Sequence, residues 1–204
     1  MTLHATFRSS TWGRAVVALT MTLLALVATT SAADAADTAD AAGGTRAGVD
    51  FAAQAESQGL DRAQARSLQN RVDGYLAEEG GKQVAANRIE LDSGGFLLLA
   101  LPGETYARDL AAPVATRGAA AACPYTYVCA YSQENFTGDF KALFTCNTLN
   151  PIPWTGTGSW KNNQRAELRA RFYDSAGNVG WTSPGGYSED AHAPWGWVYW
   201  LSPC

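Results

Sequence analysis

Hydrophobic and polar residues alternate along several short stretches in the second half of the chain. From Phe140 to Phe144 every second residue is apolar, and the same period of two returns over residues 166–173, while residues 179–182 indicate a short strand. This period is typical of β-strands with one buried face. Turns rich in glycine and proline separate the stretches, and the aromatic run at 195–201 indicates a last strand. The pattern predicts an all-β domain over residues 123–204.

The first half follows a helical pattern instead. Residues 49–58 predict a short helix, and a longer one begins at Asp61, because Gln64 stands at the capping-box spacing. Apolar residues recur at helical spacing as far as Leu76, and Gly80 ends the run. Strands are predicted at 84–91 and 96–101, joined by a turn. Two helices and a β-hairpin predict a small α+β segment over residues 49–110.

The flanking stretches predict export. Arg8 and Arg14 precede an apolar run at 15–28, and small residues follow, as in a secretory signal peptide. The run is too short to span a bilayer comfortably. We therefore predict a signal peptide over 1–33, a disordered leader over 34–48 and a linker over 111–122, and we expect a secreted, extracellular protein.

Charge narrows the set of partners. The chain has 15 basic and 19 acidic residues, and removal of residues 1–33 takes away two arginines, which leaves 13 against 19 and a net charge of −6. An acidic chain disfavours nucleic acid and anionic membranes as partners. We expect a monomer that binds neither and that needs no cofactor.

Four cysteines lie in the predicted β domain, and an even number in an exported chain indicates two disulfides. Four cysteines allow three pairings. We favour Cys123–Cys129 because the two are close in sequence, which leaves Cys146–Cys204 to tie the end of the chain to the sheet. A zinc site is disfavoured, since the exported chain would keep one histidine and has no Cys-x-x-Cys pair.

Catalysis finds little support in the sequence. His192 is the one histidine after residue 33, and it stands in a polar stretch beside Glu189 and Asp190. A histidine in such a stretch is more often a solvated loop residue than a member of a Ser-His-Asp site. The other acids fall in predicted turns, where acids are expected anyway. We predict that the protein has no catalytic residue and no metal site and that it is not an enzyme.

The spacing Tyr131-x-x-x-x-Phe136-x-Gly138 resembles the Greek-key signature of βγ-crystallin-like domains. Further motifs follow in a fixed order: Ser159-Trp160-x-Asn162-Asn163-Gln164, Tyr173-Asp174-x-x-Gly177 and Gly185-Gly186-Tyr187-Ser188. Together they resemble the secreted actinobacterial peptidase-inhibitor family typified by streptomycete metalloproteinase inhibitor. The resemblance implies a two-Greek-key sandwich over 123–204 and inhibition of an extracellular protease, by precedent a zinc metalloprotease of the thermolysin type.

The resemblance also implies where inhibition would occur. The inhibitor that typifies the family has a second short cysteine loop near its reactive bond, and counting from Tyr173 places that region where this chain has no cysteine. The candidate inhibitory loop comprises Val179, Gly180, Trp181, Thr182, Ser183 and Pro184. Packing of Trp181, the rigidity of Pro184 and the Cys146–Cys204 bridge would have to hold it. Residues 147–154, with Ile152 between two prolines, form a second candidate loop.

Other readings of the same residues stay open. Crystallin-type calcium sites need hydroxyl residues after an Asn/Asp pair, and Asn162-Asn163 lacks them, so turn hydrogen bonds are the expected role of this pair. The late aromatic residues favour a second function class, a non-catalytic module that binds cell-wall carbohydrate or another secreted protein. A small secreted toxin on the same fold is a third class. At least three coplanar, accessible rings would favour sugar binding.

Overall fold

The computed structural model describes residues 49–204, so the predicted signal peptide and leader lie outside the described residues. In this part of the chain the structure is mostly antiparallel β-sheet with two α-helices and two disulfides. No helix within it is long and apolar enough to cross a membrane. The described residues fall within one compact unit.

Both helices begin at an aspartate that caps the first turn. Helix α1 (Phe51–Glu56) follows Asp50, whose carboxylate accepts a hydrogen bond from the N–H of Ala53. Helix α2 (Arg62–Glu79) has the predicted capping box, in which the Asp61 and Gln64 side chains each accept the other residue's N–H. Gly80 follows the helix with a positive φ of 73°, which favours glycine. The predicted start and end of this helix are confirmed.

The described part of the chain has eleven strands in two sheets. In chain order they are β1 (Lys82–Ala85), β2 (Arg88–Glu90), β3 (Phe96–Leu98), β4 (Tyr127–Gln133), β5 (Thr137–Leu143), β6 (Asn150–Pro151), β7 (Thr157–Asn163), β8 (Arg171–Tyr173), β9 (Val179–Thr182), β10 (Ser188–Pro194) and β11 (Trp200–Ser202). The larger sheet has the order β1-β2-β3-β5-β4-β7-β10, and the smaller has the order β6-β11-β8-β9. Every pair in both sheets is antiparallel.

The alternation that begins at Phe140 lies in a strand, β5, as predicted, but both faces of this strand are buried. Phe140 and Ala142 lie in one buried cluster with Tyr131, on one face of the large sheet. Leu143 joins a second cluster that contains Phe172 and holds the two sheets together. A third cluster packs α1 and α2 onto the hairpin β1–β3. The large sheet is therefore buried on both faces along β4 and β5.

The N-terminal segment and the predicted β domain share the large sheet, because β3 pairs with β5. Two ion pairs join the same parts: Lys141 Nζ lies 2.5 Å from Glu79 Oε2, and Arg71 lies 2.5 Å from Asp139 Oδ1. Lys141 is fully buried. The division into separate segments at 49–110 and 123–204 remains a prediction. The shared sheet and the two ion pairs join these segments to each other.

Both predicted disulfides are present. Cys123 and Cys129 have Cα atoms 5.8 Å apart, and Cys146 and Cys204 have Cα atoms 4.7 Å apart. The first bridge staples the start of β4, and the second joins the end of the chain to the stretch after β5. Because the N–H of Asn147 donates to the carbonyl of Cys204, a backbone hydrogen bond reinforces the second connection.

Four predicted strands were wrong in extent, and one of them, 96–101, is a strand only over Phe96–Leu98. The stretch 84–91 is not one strand, because a tight turn at Ala86-Asn87 divides it into β1 and β2. The buried Asn87 side chain donates to the carbonyls of Leu99 and Arg108, so a polar residue occupies an interior turn. The turn was missed because apolar residues stand on both sides of it, at Val84 and Ile89.

The other two strands are shorter than predicted. Only Arg171–Tyr173 of the stretch 166–173 is a strand, since the N–H of Leu168 donates to the carbonyl of Arg165 in a turn. In the stretch 195–201 a 3-10 helix covers Trp195–Trp197 and the strand begins at Trp200. The polar strand β10 was not predicted, because its sequence SEDAHAP lacks apolar alternation.

Candidate functional site

The candidate inhibitory segment begins with the short strand predicted at 179–182, and this strand lies at the edge of a sheet. Its first four residues form β9, the last strand of the smaller sheet, and all four are exposed. Val179 is 50% exposed and Trp181 is 41% exposed. Strand β9 pairs with β8 along one side, and among the described residues no other strand pairs with it. Its second side can therefore accept an extended peptide.

A hydrogen-bonded turn holds the start of this strand. The Asp174 carboxylate accepts the N–H groups of Ala176 and Asn178, and the N–H of Asp174 donates to the carbonyl of Asn178. Hydrogen bonds from the Asn178 backbone and side chain hold the pKa of the Asp174 carboxyl below its ordinary value. The ionised carboxylate thus fixes the turn from which β9 emerges.

A buried polar group holds the other end. Ser183 is fully buried, and its Oγ accepts the N–H of Ala170 while its own N–H donates to the Ala170 carbonyl. The Asn162 side chain donates to Ser183 Oγ and to the carbonyl of Pro184, both at 3.3 Å. The exposed strand therefore ends in a buried, fully bonded residue, which restricts its motion.

Ring packing supports the middle of the strand. Trp181 packs on Trp160 and Phe172, with ring centroids at 5.4 Å and 5.1 Å. Gly180 accommodates Trp197, because a Cβ at this position would come within 2.3 Å of the indole. Trp181 is thus partly exposed and at the same time attached to the core.

An aromatic cleft lies between β9 and β10, the neighbouring edge strand of the larger sheet. Its volume is about 420 Å³. Trp195, almost fully buried, lies among its lining residues, and Trp197 is 37% exposed. The cleft adjoins the candidate inhibitory segment, since Gly180 and Trp181 line it as well.

The three residues of the Greek-key spacing lie together at the turn between β4 and β5. The rings of Tyr131 and Phe136 make an edge contact at 5.6 Å. Gly138 has a φ of 79°, and a Cβ there would come within 2.2 Å of Ser132 Oγ, so the turn requires glycine. These residues shape the fold on the large sheet, whereas β9 belongs to the smaller one.

The supports expected for the segment differ in how directly they act. Trp181 packing is direct, but Pro184 is exposed and is held through its carbonyl. The Cys146–Cys204 bridge acts at a distance, because the strand that precedes Cys204 is β11, which pairs with β8 rather than with β9. The sequence analysis includes Asn162 in the Asn-Asn-Gln motif but does not predict that its side chain holds the end of β9.

Asn162 and Asn163 hold turns, as expected from their lack of hydroxyl neighbours. The Asn162 carboxamide oxygen accepts the N–H of Gln164, and the Asn163 side chain donates to the carbonyl of Cys123. Among the described residues no group of acidic, histidine and cysteine side chains is placed to hold a metal ion. The arrangement gives these asparagines a structural role.

The remaining candidates are placed as follows. His192 is exposed and lies 3.9 Å from Glu134. The second candidate loop contains β6, and Ile152 is buried with its N–H donating to the Tyr199 carbonyl, so the N–H of Ile152 is not free to pair with a protease. Of the late aromatic rings, Trp181 is tilted by 55° from Trp160 and by 56° from Phe172, both of which are buried.

Comparison with known proteins gives one match. Residues 116–183 match the model of peptidase inhibitor family I36, so the match includes β9 and ends at Ser183. No curated protein and no solved structure matches the chain. The family match confirms the resemblance found in the sequence and points to a non-catalytic protein whose partner is a protease.

Proposed function

We propose that this protein is a secreted inhibitor of an extracellular metalloprotease and that it acts through residues 179–184. Strand β9 would enter the protease cleft as an extended segment and would pair its free side with the enzyme's substrate-binding strand. The fold that carries it would be a βγ-crystallin-like Greek-key sandwich, exported by the signal peptide over 1–33. The family match supports peptidase inhibition in general, and the metalloprotease target follows from the resemblance alone.

One observation carries the choice of segment: β9 is exposed along its whole length and yet held at both ends. The Asp174 turn precedes it, and the buried Ser183 follows it. An inhibitor with such a preorganised segment loses little conformational entropy on binding, and this loss is what weakens flexible peptides. The same restraint opposes separation of the two ends after cleavage.

The test is inhibition of a thermolysin-like protease by the purified chain from residue 34 onwards. We expect stoichiometric inhibition that is strongly weakened by Val179→Arg and by Trp181→Ala. Tyr199→Ala is the matched control, because Tyr199 is 51% exposed but lies outside β9. Inhibition that survives both β9 substitutions would move the inhibitory surface elsewhere. Absence of inhibition across metallo-, serine and cysteine proteases would overturn the proposal.

A further inference from the structure

The aromatic cleft between β9 and β10 has the features of a binding site for a cation. We propose that it binds a small organic cation with an alkylated ammonium head group, in contact with the exposed indoles of Trp181 and Trp197 and paired with the carboxylate of Asp190. This proposal goes beyond protease inhibition, since the cleft can be tested in the absence of any protease.

The rings that a ligand can reach are those of Trp181 and Trp197, which are 41% and 37% exposed. Trp160 and Phe172 are buried and contact Trp181, with ring centroids 5.4 Å and 5.1 Å from it. The faces of aromatic rings carry negative potential and attract cations within about 6 Å. The two exposed indoles therefore favour a cation over a neutral ligand of the same shape.

Asp190 supplies the charge. It lies directly opposite Trp160 in the β7–β10 ladder, and cross-strand partners project their side chains from the same face of a sheet. Its carboxylate thus belongs to the face that carries the buried Trp160. Oδ1 accepts one hydrogen bond, from the N–H of His192. Among the described residues that line the cleft, Asp190 is the only charged one.

The cleft is also open enough to be entered. Trp195 is 1% exposed, while Trp181 and Trp197 are 41% and 37% exposed. The position of Trp197 depends on Gly180, where a Cβ would come within 2.3 Å of the indole. A volume of about 420 Å³ is ample for a trimethylammonium group with a short alkyl chain.

The experiment compares choline with 3,3-dimethyl-1-butanol, a neutral molecule of nearly the same shape. Each is titrated into the purified full chain while the indole N–H resonances are followed by NMR. We expect saturable shifts with choline, and binding of the neutral molecule weaker by about tenfold. Equal binding of both would show an apolar cleft without cation preference and would overturn the proposal. Binding of neither would also overturn it.

Two substitutions locate the site. Asp190→Asn keeps the shape of the side chain and should weaken choline binding by about threefold to tenfold. Gly180→Ala should displace Trp197 and weaken binding without removing any ring. Glu167→Gln is the charge control, because Glu167 is exposed and lies outside the cleft. Choline affinity that is unchanged in both cleft variants would overturn the proposal, even if Asp190→Asn altered the solubility of the edge strand.

Discussion

Two strands of this molecule, β5 and β9, differ in whether another strand covers their outer edge. The edge of β5 is covered by β3, which belongs to the N-terminal segment. Within residues 49–204 the outer edge of β9 is left open, and all of its residues are exposed. Unpaired strand edges invite association with other chains, so proteins usually cover or blunt them. An edge that is left open but held rigid is therefore a place to look for function.

The two regions also differ in where their charges lie. Around β5 the charges are buried: Lys141 pairs with Glu79 beneath α2, and Asp139 accepts hydrogen bonds from Arg71 and Tyr75. Burial lowers the pKa of Lys141 and raises the pKa of Glu79, so desolvation opposes both charges. Around β9 the strand is fixed by the exposed Asp174 turn and by the neutral side chains of Ser183 and Asn162. The covered edge thus depends on buried charges, and the open edge does not.

The largest expected effect comes from breaking the buried pair. Glu79→Ala should cost about 3–5 kcal/mol of unfolding free energy, because it leaves the buried Lys141 ammonium without a carboxylate. Urea unfolding at pH 7 measures the loss. Glu78→Ala is the matched control, since its neighbour Glu78 is exposed. The double variant Glu79→Leu with Lys141→Met should regain most of the loss, and failure to do so would contradict an electrostatic cause.

The next effect concerns the anchor of the open edge. Ser183→Ala removes the acceptor for the buried N–H of Ala170 and should cost about 1–3 kcal/mol. Hydrogen exchange should rise in β9 before it rises in β5, because Ser183 anchors only the first of these strands. Ser175→Ala, at an exposed position in the preceding turn, should change neither quantity. An equal rise in hydrogen exchange in β9 and β5 of the Ser183→Ala variant would show that Ser183 does not anchor β9 separately from β5.

Alkaline pH should weaken the covered region. Burial, reinforced by neighbouring negative groups, raises the pKa of Tyr75 and of Tyr131 above the ordinary value of 10. These phenols stay protonated in the folded state while the unfolded chain loses its protons, so stability falls as pH rises above 10 and is unaffected by them below it. The loss should reach about 1.4 kcal/mol per tyrosine at pH 11. Urea unfolding from pH 8 to 11 measures it, and Tyr131→Phe should reduce the slope.

The smallest effect is expected at an exposed ion pair. Arg165 and Glu167 lie 3.9 Å apart with about two thirds of each side chain exposed. Glu167→Gln should change the unfolding free energy by less than about 0.5 kcal/mol. Comparison with Glu79→Ala in the same urea series sharpens the contrast between buried and exposed charges. A larger loss at Glu167 would mean that this turn matters more than its exposure suggests.

Local rules predicted the parts of the fold that depend on local chemistry. The capping box at Asp61 and the alternation from Phe140 each specify one element, and both are confirmed. The preferred disulfide pairing was also right. Strand β10 escaped prediction because it is an edge strand whose polar residues face water, and backbone pairing with β7 rather than apolar burial makes it a strand.

The candidate segment shows the same limit. Sequence reasoning predicted a strand at 179–182 and chose residues 179–184 from a resemblance, with Trp181 packing, Pro184 and a disulfide as the expected supports. Trp181 packing is present, but the segment is also anchored through Asn162, a residue distant in sequence from Ser183. Such long-range hydrogen bonds depend on which strands become neighbours, and a single sequence does not reveal that. Exposure of β9 likewise follows from its place at the end of the sheet.

The two disulfides join cysteines that all follow residue 122, so the stretch 111–122 is the only covalent connection from the helices to the rest of the described molecule. Most of this stretch is exposed, whereas β3 is locked to β5. A single cut by a protease at this point would therefore yield two polypeptides that still migrate as one particle under native conditions. They would separate only in denaturant, even without a reducing agent, so the size seen on a denaturing gel would not report the size of the working molecule.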